Sequence, residues 1–229
     1  MDLRQAVRTE LTALLGRGRG KQLAVIAGGW GLLLGTRMIY PVLLPALRET
    51  FDLNLTIAGL LITILWLGSA LGQLPGGILA DRYSERLVMT AGLLVVGIAL
   101  ALVVAAPSAL VLFLATGVVG VGQSLYPIAR ITILADIYPG RIGSALGVTM
   151  ATGDLGQTVL PPVAGLVAAS AAWQAGLGFV IPGLVLVAIG IWVILPVQSQ
   201  GNADRVPLEM GTVHAVVEEF RRSNLAFVS

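Results

Sequence analysis

The sequence contains no cysteine and a single histidine, His214, in 229 residues. The first absence excludes a disulfide framework and a thiolate metal site. The second excludes a His-Glu-x-x-His metal cluster, and, because His214 lies in a charged tail, a serine–histidine pair within the apolar segments. No enzyme is expected, and no catalytic residue, metal ligand or cofactor is assigned. Charge is scarce too: 14 Lys+Arg and 12 Asp+Glu make up 11% of the chain and leave a formal charge of +2. A soluble domain carries about a quarter charged residues, so this chain has too little polar surface to clothe a globule in water. Its arginines sit mainly in tails and short loops, not in the aromatic-interleaved stripe that binds nucleic acid. What remains is an integral membrane protein.

Apolar length is what the chain has in abundance. Hydrophobic residues make up 56% of it, and glycines number 29. A helix needs roughly 20 apolar residues to cross the hydrocarbon layer of a bilayer. Reading from charge to charge, with Gly and Pro as punctuation, predicts six spans at 22–47, 54–80, 87–106, 109–137, 142–168 and 173–196. The period-2 alternation of a membrane barrel is absent. Arg4, Arg8, Arg17, Arg19 and Lys21 precede the first span, Arg82 and Arg86 follow the second, Arg141 the fourth, and Arg205, Arg221 and Arg222 the sixth. Only Arg48 falls on the other side. This bias puts both termini in the cytoplasm of a plasma (inner) membrane protein. Residues 1–21 then form a basic cytoplasmic tail, 22–196 a six-helix transmembrane bundle, and 197–229 a cytoplasmic connection expected to lead to a seventh helix. In the tail, Leu3, Val7, Leu11 and Leu14 recur at helical spacing, as in a helix lying on the inner leaflet. A plain topology signal is the alternative.

The loop between the second and third spans reads "GGILADRYSER". It resembles the signature loop of the major facilitator superfamily, Gly-x-Leu-Ala-Asp-Arg-x-Gly-Arg-Arg. Gly77, Leu79, Ala80, Asp81, Arg82 and Arg86 match in register, while Ser84 and Glu85 depart from it. "YPVLLPALRETFDLN" and "AWQAGLGFVIPGLVLVAIGIWVILP" are similar to the family's first-helix exit and sixth helix, so the resemblance covers residues 22–196. Two departures stand out. Thr116 occupies the fourth helix's usual arginine position, and "GQTVLPPVAG" is a degraded form of the antiporter motif, so neither motif supports proton antiport.

The resemblance implies an all-α fold of six transmembrane helices in a 3+3 inverted repeat, one half of a twelve-helix permease working by alternating access. It also implies that Gly77, Asp81, Arg82 and Arg86 act as a conformational switch. Gly68, Gly72 and Gly76 form a small-xxx-small row that admits a close partner helix, which the resemblance places in the other half.

Ionisable residues within the spans mark functional sites. Arg37 lies about 22 Å into the first span and Asp154 about 18 Å into the fifth, at ~1.5 Å per residue, which puts them at similar depth. Arg130, Tyr126 and Gln123 share the fourth span, Gln73 stands on the second, Gln157 on the fifth, and Tyr40 follows Arg37. The third and sixth spans carry no charge, so helices one, two, four and five are expected around a polar path. The substrate-binding candidates are Arg37, Tyr40, Gln123, Tyr126, Arg130, Asp154 and Gln157. A cation with aromatic and amide neighbours suits an organic anion. A structural Arg37–Asp154 ion pair, and arginines snorkelling to the surface, are the alternatives. The expected partners are a small-molecule substrate, the lipid bilayer, and a carboxy-terminal six-helix half or a second copy. A six-helix scaffold or regulatory subunit without transport is the competing class.

Overall fold

The computed structural model describes residues 16–196, apart from the side chains of Arg17 and Asp81. The basic tail up to residue 15 and the connection after 196 lie outside the described residues, as do the expectations placed on them.

After a short 3-10 turn at Gly16–Gly18 come eight α-helices: α1 Arg19–Thr50, α2 Leu55–Leu71, α3 Gln73–Arg82, α4 Glu85–Val104, α5 Ala109–Ile137, α6 Ile142–Ser170, α7 Trp173–Gly178 and α8 Val180–Ile194. Their starts follow local chemistry. Asn54, Ser84 and Ser108 accept from the backbone N–H groups of Ile57, Leu87 and Val111 at 2.9, 3.3 and 3.5 Å, satisfying donors that have no partner inside the helix. The turn between α1 and α2 needs one left-handed residue, Asp52, at φ 50°, a residue type that tolerates that region.

Two interruptions have the same cause. Pro75 lacks the N–H that would reach the carbonyl of Leu71, where α2 ends, and Pro182 lacks the one that would reach Gly178, where α7 ends. Each pair, α2 with α3 and α7 with α8, continues as one rod across the break. Among the described residues five segments are long and apolar enough to span a membrane: Arg19–Thr50, Leu55–Ala80, Glu85–Val104, Ala109–Ile137 and Trp173–Ile194. The expected fifth span, α6, forms a helix of 29 residues but is less apolar, because it carries Asp154, Gln157 and several threonines.

α1 packs along α6, α5 packs between α4 and α2, and α8 bridges α4 and α1. Glycines make the close approaches of α1 to α6, through Gly31, Gly35 and Gly156, and of α2 to α5, through Gly68 and Gly120. A β-carbon at Gly68 on α2 would meet the carbonyl of Gly117, and one at Gly76 on α3 would lie 3.1 Å from the Ser124 carbonyl. The row Gly68, Gly72, Gly76 therefore meets α5 of the same bundle, not a helix of another half as the resemblance implied. The reason is that α5 presents its own small residues, Gly117, Gly120 and Ser124, at matching height, so two bare backbones can touch.

Candidate functional site

Arg37 leaves α1 between α2 and α5. Its Nε donates to Oε1 of Gln123 and its Nη2 to Oγ of Ser69, both at 2.8 Å. Its guanidinium lies 4.4 Å from the centre of the Trp66 ring, whose side chain is 48% exposed. Gln123, only 2% exposed, is held in turn: its Nε2 donates to the Leu33 carbonyl at 3.2 Å. With its amide nitrogen spent there, the amide oxygen must face Arg37. Pro41 and Pro127 follow Arg37 and Gln123 by four residues, so both helices lose a backbone hydrogen bond at this level. Among the described residues Nη1 of Arg37 has no protein partner. Arg37 lines a cavity of about 270 Å³ together with Trp30, Leu34, Ser69, Gln73 and Gln123. A guanidinium fixed on two sides, with donors left over, is arranged to receive an anionic group.

A second cation lies behind the cavity wall. Arg130 on α5 is 1% exposed. Its guanidinium packs 3.9 Å from the centre of the Trp30 ring, and its Nη1 donates to Oγ1 of Thr149 on α6 at 3.0 Å. The other neighbour of Trp30 is Tyr126, stacked at 6.4 Å and 17°. No carboxylate contacts Arg37 or Arg130 among the described residues.

The remaining sequence-expected residues fall elsewhere. Tyr126 is fully buried and spends its hydroxyl on the Ile26 carbonyl at 2.8 Å. Tyr40 is fully buried and does not line the cavity. Asp154 is exposed on α6, with Nε2 of Gln157 donating to its carboxylate at 3.5 Å, and neither residue lines the cavity. No Arg37–Asp154 ion pair forms. Gly153 abuts Trp30, and Gly156 abuts Gly31 and Gly35, so Asp154 is level with the turn at Trp30, about 9 Å along the axis from Arg37 at ~1.5 Å per residue. The expected similarity of depth fails because α1 begins at Arg19, three residues before the apolar run that marks it in the sequence. Trp30, Trp66 and Ser69 were not among the expected site residues. Spacing was the available signal for the first: Trp30 precedes Arg37 by seven residues, as Gln123 precedes Arg130.

In the charged loop, Asp81 and Arg82 close α3; the Asp81 side chain lies outside the described residues, and Arg82 is exposed. Arg86 turns inward. Its guanidinium lies 4.3 Å over the ring of Trp192, and its Nη1 donates to the Leu195 carbonyl at 3.2 Å.

The described residues form an apolar helical bundle with a cationic cavity, and the comparisons give it a family. The sequence profile of the Major Facilitator Superfamily matches residues 25–229. The chain belongs to that family. It is 29% identical over 150 residues to the probable sulfoacetate transporter SauU of Cupriavidus necator, a match covering 65% of this chain and 34% of that protein. It is 31% identical over 163 residues to the gentisate transporter of Corynebacterium glutamicum, covering 68% and 36%. Its fold matches the inward-facing, unoccupied crystal structure of a bacterial homologue of the human lysosomal transporter Spinster, with a TM-score of 0.72, 19% identity, and 85% of this chain against 47% of that one. The chain thus spans less than half the length of these relatives.

Proposed function

We propose that this chain is the amino-terminal six-helix half of an alternating-access transporter for small organic anions, with both termini in the cytoplasm. The observation that carries this reading is Arg37, fixed by Gln123 and Ser69 and lining the cavity, with no carboxylate against it among the described residues. The relatives support it in kind, because sulfoacetate and gentisate are both organic anions. In this reading α6 is the fifth of six spans in a 3+3 inverted repeat. A second six-helix unit, either a carboxy-terminal half or a second copy, closes the cavity from the other side and meets the exposed edge of α6 that carries Asp154. Asp81, Arg82 and Arg86 bias the exchange between inward- and outward-open states.

Calorimetric titration of the purified protein with organic anions tests the reading without requiring the second unit. Saturable binding that Arg37→Lys weakens at least about ten-fold is expected, because the ammonium cannot reproduce a planar fork already engaged on two sides. Binding unchanged by that substitution would overturn the role of Arg37. Absence of binding for every anion tried would overturn the substrate class.

A further inference from the structure

We propose that Arg130 is a second anion station of the same cavity, covered here by the Trp30 ring, so that the site selects a compact dianion over a monoanion. This rests on the reading of Arg37 as the anion anchor. The two cations form rungs of one ladder. Arg37 meets Gln123, and Trp30 meets Arg130. Within α1 and within α5 the two rungs are seven residues apart, or roughly 10 Å at ~1.5 Å per residue. Trp30 lines the cavity that holds Arg37, and Arg130 lies directly against its ring.

Charge balance points the same way. Arg130 is 1% exposed; among the described residues its one hydrogen-bond partner is the hydroxyl of Thr149, and its Nε has no acceptor. A buried cation ordinarily has an anionic partner. Arg37, a short distance along the same bundle, lacks one too. Asp154, the one acidic residue of the neighbouring α6, stands exposed and away from both. Two uncompensated guanidiniums flanking one aromatic wall match a ligand with two negative ends. A monoanion would neutralise only Arg37 and leave Trp30 where it is. A dianion supplies a second acceptor for Arg130 once the indole swings aside.

The test compares acids of equal carbon number on the purified protein: malonate against propionate, and succinate against butyrate, by calorimetric titration. Each dianion should bind at least about ten-fold tighter than its monoanionic match, the scale of one added charge-assisted contact. In Arg130→Gln the ratio of the two affinities should fall to about unity, whereas in Trp30→Phe, whose smaller ring uncovers the guanidinium, it should be kept or increased. Equal affinities within each pair in the wild-type protein would overturn the second station while leaving Arg37 as an anion anchor. A dianion preference that survives Arg130→Gln would also overturn it, and this outcome needs only that the variant fold. Failure of all four acids to bind would remove both the station and the anion reading beneath it.

Discussion

The α-carbon of Gly156 on α6 rests against the carbonyl of Gly31 on α1, so close that a β-carbon built at Gly156 would lie 2.7 Å from the Gly31 carbonyl carbon. Both partners in that contact are backbone, and no side chain is available to yield. Gly156→Ala should therefore wedge the two helices apart, at a cost of about 1–3 kcal/mol. Gly147, on the same helix, has open space where its β-carbon would stand. Gly147→Ala should leave stability unchanged or raise it by up to ~1 kcal/mol, through helix propensity alone. Thermal unfolding in detergent compares the two, and similar shifts for both would sink the close-contact account.

Gln123 is the residue that fixes the orientation of Arg37, and changing its charge should block the site without harming the fold. In Gln123→Glu the carboxylate would sit 2.8 Å from Nε of Arg37 and act as a built-in counter-ion. Anion affinity should fall at least about ten-fold because the ligand then meets a neutral pair. Thermal stability should stay about the same or fall slightly, because the new ion pair is offset by the hydrogen bond to the Leu33 carbonyl that a carboxylate cannot donate. If titration with succinate shows unaltered affinity, Arg37 is not the group that meets the ligand.

Much of the fold was legible because the apolar runs are long and their punctuation is local. Asn54, Ser84 and Ser108 cap helices within three residues of the expected span starts. Arg37, Gln123 and Arg130 stand out because polar groups inside apolar helices are costly and few. What the sequence withheld is rotational. Gln123 and Tyr126 are three residues apart on one helix, yet one faces the cavity and the other spends its hydroxyl on α1. Asp154 looked like the partner of Arg37 because only distance along each helix was readable, not the face each side chain takes. Trp30 and Trp66 read as ordinary membrane residues until the guanidiniums that lie on them are seen. The glycine row running from α2 into α3 was visible, but its partner was not, because small residues signal a close approach without naming what approaches.

Arg86 ties the start of α4 to the end of α8 through Trp192 and the Leu195 carbonyl. A planar cation is needed for both contacts, since it stacks with its face and donates with its edge. Arg86→Lys should therefore lose most of what Arg86→Ala loses, on the order of 1 kcal/mol. Hydrogen exchange at the last turn of α8 is the direct readout. Faster exchange there in both variants, with α5 unaffected, is expected; protection retained in the lysine variant would mean that charge alone holds the contact.

The orientation of the bundle can be read from two exposed loops at opposite ends of α4. Tyr83 is 52% exposed between α3 and α4, and Pro107 is exposed between α4 and α5. The intervening 20-residue helix is about 30 Å long at ~1.5 Å per residue, the thickness of the hydrocarbon layer. The two loops must then open on opposite sides of the membrane if α4 crosses it. Arg82 and Arg86 flank the first loop, whereas no charge lies near the second, so the positive-inside bias assigns Tyr83 to the cytoplasm. With no native cysteine, single substitutions report without background. Pro107→Cys should react with a membrane-impermeant maleimide on intact cells, and Tyr83→Cys only after permeabilisation. Tyr83 caps the end of α3, but through its backbone N–H on the Leu79 carbonyl, which a cysteine keeps, and Pro107 caps no helix, so both variants should fold. The reverse pattern would invert the bundle, and reaction of both from outside would mean that α4 does not span the membrane.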